Sequence, residues 1–353
     1  LDPHPYHYSF GRTDAEITDA ELADAEIAHT NIEHAGITAT ETADSAAEIT
    51  DAELADALAL GVWLNADNVQ ELERLAALGA PGRARVGLRV NPMLGEGSIA
   101  MTSTVGRSSK FGVPLEQAPD LLRRFPFISG LHVHTGSQGV GVDLMARAAL
   151  AVADVVVAHG LQWLDIGGGI PVRYRDDAPT PPSFQAWADA VARIPNDVQL
   201  ITEVGRSIHA ASGWAVTEVV CTKRIDGQDT LVVHLGADLL MRRVYRPDQW
   251  DHEFVLLNPD GTVKTGERRP TRIAGPLCFS GDVLANDRPL PSADPGDLLL
   301  IRDTGAYTLS MWSRHCSRGL PPSMGYDADG VRLLHRGEQT HDVVRFWSVH
   351  PPS

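Results

Sequence analysis

The chain has 353 residues, 43% of them apolar, and a formal net charge of −16 at pH 7. That length predicts a large core in two domains, and the acidic balance argues against nucleic acid or an anionic membrane as a partner. There is no run of about 18 uncharged apolar residues, no charged-then-apolar leader and no CxxC pair among Cys221, Cys278 and Cys316, so we expect no membrane span, no signal peptide, no metal site, no disulfide framework and a cytoplasmic location.

Residues 13–59 hold 13 acids and no Lys or Arg, and repeat Thr13-Asp-Ala-Glu-Ile17 as Ala23-Asp-Ala-Glu-Ile27 and Thr50-Asp-Ala-Glu-Leu54. The units are too short and irregular for a solenoid. Ala, Glu, Leu and Ile favour helix, and Thr13 and Thr50 each open a Thr-x-x-Glu capping box, so amphipathic helices are expected here.

From residue 61 the pattern alternates. Residues 61–68 read as a strand and turn, 69–78 as a helix, 85–91 as a strand, 114–124 as a helix and 128–134 as a strand. Then follow a helix over 143–160, a strand over 163–166, a helix over 182–194 and a strand over 199–203. Such alternation predicts a parallel sheet with helical crossovers. After about Gly213 the rhythm changes. Residues 214–222, 229–235, 297–301 and 331–335 read as strands between Pro/Gly/Asp turns, with a short closing helix over 340–346, which predicts a mostly antiparallel β-domain.

Five polar or glycine-rich signatures punctuate these elements: His132-Val-His134-Thr-Gly-Ser-Gln138, Asp165-Ile-Gly167-Gly168-Gly169-Ile170, Glu203-Val-Gly205-Arg206, Gly275-Pro-Leu-Cys278-Phe-Ser-Gly-Asp282 and Gly305-Ala-Tyr307. The first three fall at or just after the C-terminal end of a strand, where barrel enzymes place their chemistry. Three glycines after a strand leave amides able to approach an anion, or simply make a tight turn. Glu203 can hold a ring nitrogen protonated, or pair with Arg206. His132 and His134 point the same way on a strand, and an imidazole can stack on a heteroaromatic ring or serve the fold. Cys278 can donate a proton or be inert, and Tyr307 can reach a phosphate or pack.

In this order the signatures resemble the fold-type III pyridoxal-phosphate decarboxylases, diaminopimelate decarboxylase and its relatives above all. Arg89-Val-Asn-Pro92, Ser109-Lys-Phe-Gly112, Asp303-Thr304 before Gly305-Ala-Tyr307, and Ser317-Arg318 add to the likeness, which covers roughly residues 50–350. The resemblance implies a (β/α)8 barrel over residues 1–212, followed by a mostly antiparallel β-domain over 213–353. It implies pyridoxal 5'-phosphate as cofactor, with His134 on the ring face and Glu203 at the ring nitrogen. Gly167, Gly168, Gly169, Gly205, Arg206 and Tyr307 would hold the phosphate. Cys278, supplied across a homodimer interface, would help protonate the carbon that carbon dioxide leaves, and Asp282 would lie in the same substrate-facing loop. Arg314 or Arg318 would bind a substrate carboxylate or form a structural ion pair. A racemase on the same fold is the enzymatic alternative, and the Gly-Pro-x-Cys loop argues against it.

Three departures stand out. The family's Schiff-base lysine closes the first barrel strand. Here the comparable stretch is Tyr8-Ser9-Phe10, and no lysine precedes Lys110. Either the sequence is incomplete or joined near Gly11 and Ile49-Thr50, or the protein is a lysine-less non-catalytic or regulatory homologue, or the lysine has been removed or its region misassigned. The odd stretch before residue 60 argues for the first. Val204 replaces the family's usual proline. Phe279 replaces the glutamate expected to face the distal charged end of diaminopimelate, which predicts a different amino-acid substrate.

Overall fold

The computed structural model describes residues 6–10, 42–44, 49–328 and 330–349. The chain divides into two compact units. One comprises residues 15–172 and 180–206, the other residues 1–14, 173–179 and 207–353. The boundary expected at 212/213 therefore falls at 206/207, with a short excursion over 173–179.

In the first unit, strands β2 (Thr42–Asp44), β3 (Trp63–Ala66), β4 (Arg85–Asn91), β6 (Ile128–His132), β7 (Trp163–Asp165) and β8 (Gln199–Ile201) pair in parallel in that order, and the short β5 (Val113–Pro114) adds to β4. Helices α1 (Asp51–Leu60), α2 (Val69–Ala77), α3 (Ala118–Arg124), α4 (Val142–Ala158) and α5 (Phe184–Val191) lie between them in the chain. This is the α/β barrel arrangement expected; residues 1–5, 11–41 and 45–48 lie outside the described set, including the Thr13 capping box.

Thr50 caps α1 as its sequence predicts. Its hydroxyl accepts the Glu53 amide at 3.3 Å, and the Glu53 carboxylate accepts the Thr50 amide at 2.8 Å. The parallel sheet has a different core on each face. On the helix side, Leu64, Leu72, Leu88, Leu131, Val152 and Leu164 are among the buried residues of a large aliphatic cluster. A smaller cluster joins Trp63, Trp163 and Ile201, with the two indoles edge-to-face at 4.8 Å.

The second unit is built on the 13-residue strand β9 (Gly213–Ile225). It pairs antiparallel with β1 (Tyr6–Phe10), β10 (Gln228–Val233) and β14 (Leu298–Ile301). Strand β11 (Phe254–Leu257) pairs antiparallel with β14, β12 (Arg269–Ala274) with β13 (Val283–Leu290), and β15 (Ser323–Asp327) with β16 (Gly330–His335). Within this unit, only β1/β15 and β10/β12 are parallel among the described pairings. The short helices α6 (Gly205–His209), which starts at the boundary, and α7 (Met241–Tyr245), and the closing α8 (Thr340–Trp347), complete the described helices.

One expectation is corrected here. Tyr8-Ser9-Phe10 does not open the barrel. It lies between β9 and β15 in the β-sheet, with Tyr8 opposite Ala215 and Ser323. An edge-to-edge backbone ladder decided its place, a long-range pairing invisible in five residues of sequence.

Candidate active site

The first unit gathers a cluster of titratable groups where β6, β7 and β8 end. Glu203 lies two residues beyond β8, and its amide donates to Gly167 O at 2.8 Å. Its Oε2 lies 3.0 Å from His134 Nδ1 and 3.7 Å from His132 Nε2. The two histidines do point the same way, as their spacing predicts, and both meet one carboxylate. Burial pushes the Glu203 carboxyl up, but hydrogen bonds and charge from His132 and His134 outweigh it and hold the pKa far below the usual carboxylate range.

Asp165, the last residue of β7, is buried, and its Oδ1 accepts the Gly167 amide at 2.9 Å. Desolvation pushes its carboxyl up to about 6, against the opposing charge of His132. Burial pulls His132 down, yet the charges of Asp165 and Glu203 prevail and raise its pKa. Among the described residues, neither ring nitrogen of His132 nor Asp165 Oδ2 has a polar partner within 3.5 Å, and His132 Nε2 meets Glu203 only at the longer 3.7 Å. His134 Nδ1 also lies 3.2 Å from the Gly168 amide, so a neutral ring serves Glu203 or Gly168 with that nitrogen, not both.

The three glycines are required by close backbone approach. A Cβ on Gly168 would sit 2.3 Å from Glu203 O, and one on Gly167 would sit 2.6 Å from Val133 O at φ +64°. The three glycines make a tight turn, which places Glu203 beside His134. Arg206 donates to Ser137 Oγ at 2.6 Å and to Ser137 O at 3.1 Å, joining the first and third signatures. Among the described residues, a Cβ on Gly205 would meet nothing within 4 Å.

The remaining candidates lie in the second unit. Cys278 and Cys316 are exposed, with sulfurs 3.3 Å apart, and the neighbouring thiol pushes the Cys278 pKa up. Phe279 is sandwiched between Tyr245 and His315, at 5.9 and 5.5 Å and within 6° of parallel to each. Asp282 was expected in a substrate-facing loop, but its side chain faces inward. Its oxygens accept the amides of Ala237 and Leu277, each at 2.8 Å, in the space that a Cβ on Gly236 or Gly275 would fill. Burial raises its pKa.

Arg314 donates to Glu338 at 2.7 Å and lies over the rings of Trp312 and Phe346. Arg318 donates to Asp238 at 2.7 Å and to His234 O at 2.6 Å. Both form ion pairs in this structure. Tyr307 is 44% exposed, and Arg242 lies 5.1 Å above its ring. Gly305 is obligatory, since a Cβ there would come within 1.9 Å of His209 O. Sequence reasoning missed Asp165 and the Cys316 partner of Cys278. Asp165 carried a signal, as the first residue of the Gly-Gly-Gly signature. Cys316 carried none, because a loop contact brings it in.

Glu203 decides what such a site can hold. A carboxylate kept ionised by two imidazoles, next to a glycine turn and a helix start, suits a protonated ring nitrogen. Comparison with known proteins agrees: residues 24–210 match the family described as "Pyridoxal-dependent decarboxylase, pyridoxal binding domain". The chain belongs to this family. Diaminopimelate decarboxylase of Zymomonas mobilis is 30% identical over 328 residues, covering 88% of this chain and 76% of that protein. The Streptomyces coelicolor enzyme of the same name is 33% identical over 81% of this chain and 68% of its own length. A crystal structure of diaminopimelate decarboxylase, 31% identical, superposes with a TM-score of 0.78 over 95% of this chain and 83% of that one. A point mutant of Helicobacter pylori diaminopimelate decarboxylase complexed with L-lysine, at 22% identity and a TM-score of 0.77 over 97% of this chain and 96% of that one, shares the fold. The family makes the chain a pyridoxal-phosphate-dependent amino-acid decarboxylase, a carbon–carbon lyase.

Among family features, the lysine stands apart. The chain's three lysines are Lys110, Lys223 and Lys264. Lys110 is exposed with its ammonium 5.0 Å from the Phe111 ring, Lys223 is exposed on β9, and Lys264 is bound by Asp294 and Asp297.

Proposed function

We propose that the chain decarboxylates an amino acid whose distal end is less charged than that of meso-diaminopimelate. Phe279 carries this reading. The family position that would offer a carboxylate to a distal ammonium holds a phenyl ring, fixed between Tyr245 and His315. A phenyl ring with Tyr245 stacked on one side and His315 on the other offers a distal ammonium neither a charge nor an open π face.

Pyridoxal phosphate, when bound, draws electrons from the bond to the departing carboxylate. Glu203 would hold the ring nitrogen protonated, with His134 on the ring face. Backbone at Gly167, Gly168, Gly169, Gly205 and Arg206, together with Tyr307, would hold the phosphate. Cys278 would move a proton to the carbon left behind. We infer a homodimer, in which Cys278 comes from the partner subunit, and a cytoplasmic setting. Carbon dioxide release from a panel of amino acids tests the reading. We expect turnover of another amino acid to exceed that of meso-diaminopimelate in kcat/KM; meso-diaminopimelate as the best substrate would overturn it.

A second reading is favoured by the absence of any lysine before Lys110. In it the chain is a non-catalytic or regulatory homologue that holds the cofactor without a covalent bond. Bound cofactor that borohydride does not fix to the chain, and no carbon dioxide from any amino acid, would favour it.

A further inference from the structure

Two distant segments of the β-unit meet at three soft ligands. Cys278 Sγ, Cys316 Sγ and a ring nitrogen of His315 all lie within 4.8 Å of one another. The segment carrying two of them is held on both sides, Arg314 by Glu338 and Arg318 by Asp238. Between these anchors Cys316 and Ser317 adopt φ of 55° and 56°, a left-handed pair without glycine. Such backbone persists only where its surroundings fix it. His315 is fixed too, its ring parallel to Phe279 at 5.5 Å.

We propose that Cys278, His315 and Cys316 form a binding site for a thiophilic divalent cation of the zinc class, with a fourth position open to water. Two thiolates and an imidazole are a donor set that such ions take in tetrahedral geometry. Zinc–sulfur bonds of about 2.3 Å at a tetrahedral angle put the sulfurs roughly 3.8 Å apart. The observed 3.3 Å needs a small opening. A disulfide would need closure to about 2.05 Å, a larger movement that leaves His315 unused. Binding is balanced by proton release: one cation enters, two thiols each lose a proton, and the neutral imidazole donates its lone pair. The family's sequence signals hide the site, since its ligands come from a loop at 278 and another at 315–316.

Cobalt(II) is the probe, added to the reduced full-length protein after the reductant is removed. We expect visible absorbance typical of a tetrahedral thiolate site at one equivalent, displaced by zinc, with about two protons released per ion. Cys316→Ser should abolish the spectrum, and His315→Phe, which keeps the ring stack, should weaken affinity by on the order of 10-fold or more. Cys221→Ser, elsewhere in the same unit, should leave it intact. Equal cobalt spectra in Cys316→Ser and the parent would overturn the site, as would a reduced protein that takes up no cobalt and instead forms a Cys278–Cys316 disulfide. The spectrum does not depend on turnover. Only one extension rests on the proposed function: that zinc inhibits decarboxylation by occupying Cys278, and does so less in Cys316→Ser.

Discussion

Glu203 shows how far a single residue's role depends on its neighbours. Its ionisation is set by His132 and His134, two residues of one strand end, at 3.7 and 3.0 Å. Glu203→Gln keeps the shape and removes the charge. We expect kcat for decarboxylation to fall on the order of 10²-fold or more at saturating cofactor, measured by carbon dioxide release. An unchanged kcat would remove Glu203 from the ring nitrogen. His252 offers a test away from the site. It is buried, its Nδ1 lies 2.8 Å from Arg302 O, and Tyr174 packs edge-on against it at 5.2 Å. The carbonyl contact assigns the proton to Nδ1. Burial pulls its pKa down to about 4 from an ordinary 6.5. The unfolded chain therefore binds the proton more tightly. The stability that neutral His252 contributes is present above pH 6.5 and is lost as pH falls toward 4, about 3 kcal/mol in all. Urea unfolding between pH 7 and 4 should show this slope, and His252→Gln should flatten it. An equal slope in the variant would mean that other groups carry the acid sensitivity.

At the scale of elements, the parallel half was legible and parts of the β-half were not. Strand β4 matches its sequence bounds at Arg85–Asn91, and α2, α4 and α8 match theirs within about two residues, because their apolar periods are clean. Strands β11, β12, β13 and β15 were missed. Arg269–Ala274 and Val283–Leu290 contain prolines and charged residues, and their pairing supplies what local propensity lacks. Glycines within strands were a signal that pattern reading passed over. Gly87 on β4 and Gly130 on β6 leave room for Trp163: a Cβ on Gly130 would lie 2.1 Å from its Cδ2, and one on Gly87 2.3 Å from its Cη2. Trp163 is fully buried and donates from Nε1 to Ser129 Oγ at 2.9 Å. Gly130→Ala should thus destabilise the barrel unit by about 1–3 kcal/mol through overpacking. Adding Trp163→Leu should recover part of that loss, because the two changes share one space. Thermal melts of the single and double variants check this, and a Gly130→Ala melt equal to the parent's would contradict the packing.

For the whole molecule, the five signatures were legible as a cofactor cradle, and the structure divides them. The first three fall in the barrel unit with Glu203, and the last two in the β-unit with Cys278 and Tyr307. What the sequence could not convey was the placement of Tyr6–Phe10, since a strand of the β-sheet and a first barrel strand look alike over five residues. That placement bears on the missing lysine. The stretch that sequence comparison set against the family's lysine strand belongs to the other sheet, and the three lysines present have other settings. Lys264 meets Asp294 and Asp297, and although burial lowers its pKa, those two carboxylates raise it overall, so it stays a cation and a poor nucleophile. A chain of the stated sequence should then hold pyridoxal phosphate without a covalent bond. Borohydride treatment of the loaded protein should leave the chain at its own mass of 38.1 kDa, and dialysis should strip the cofactor. A parent mass above 38.1 kDa, with cofactor mass added on reduction, would instead place the Schiff-base lysine in a segment joined out of this sequence. Cofactor mass added at 38.1 kDa would assign the bond to Lys110, Lys223 or Lys264, and peptide mapping of the reduced protein would name which.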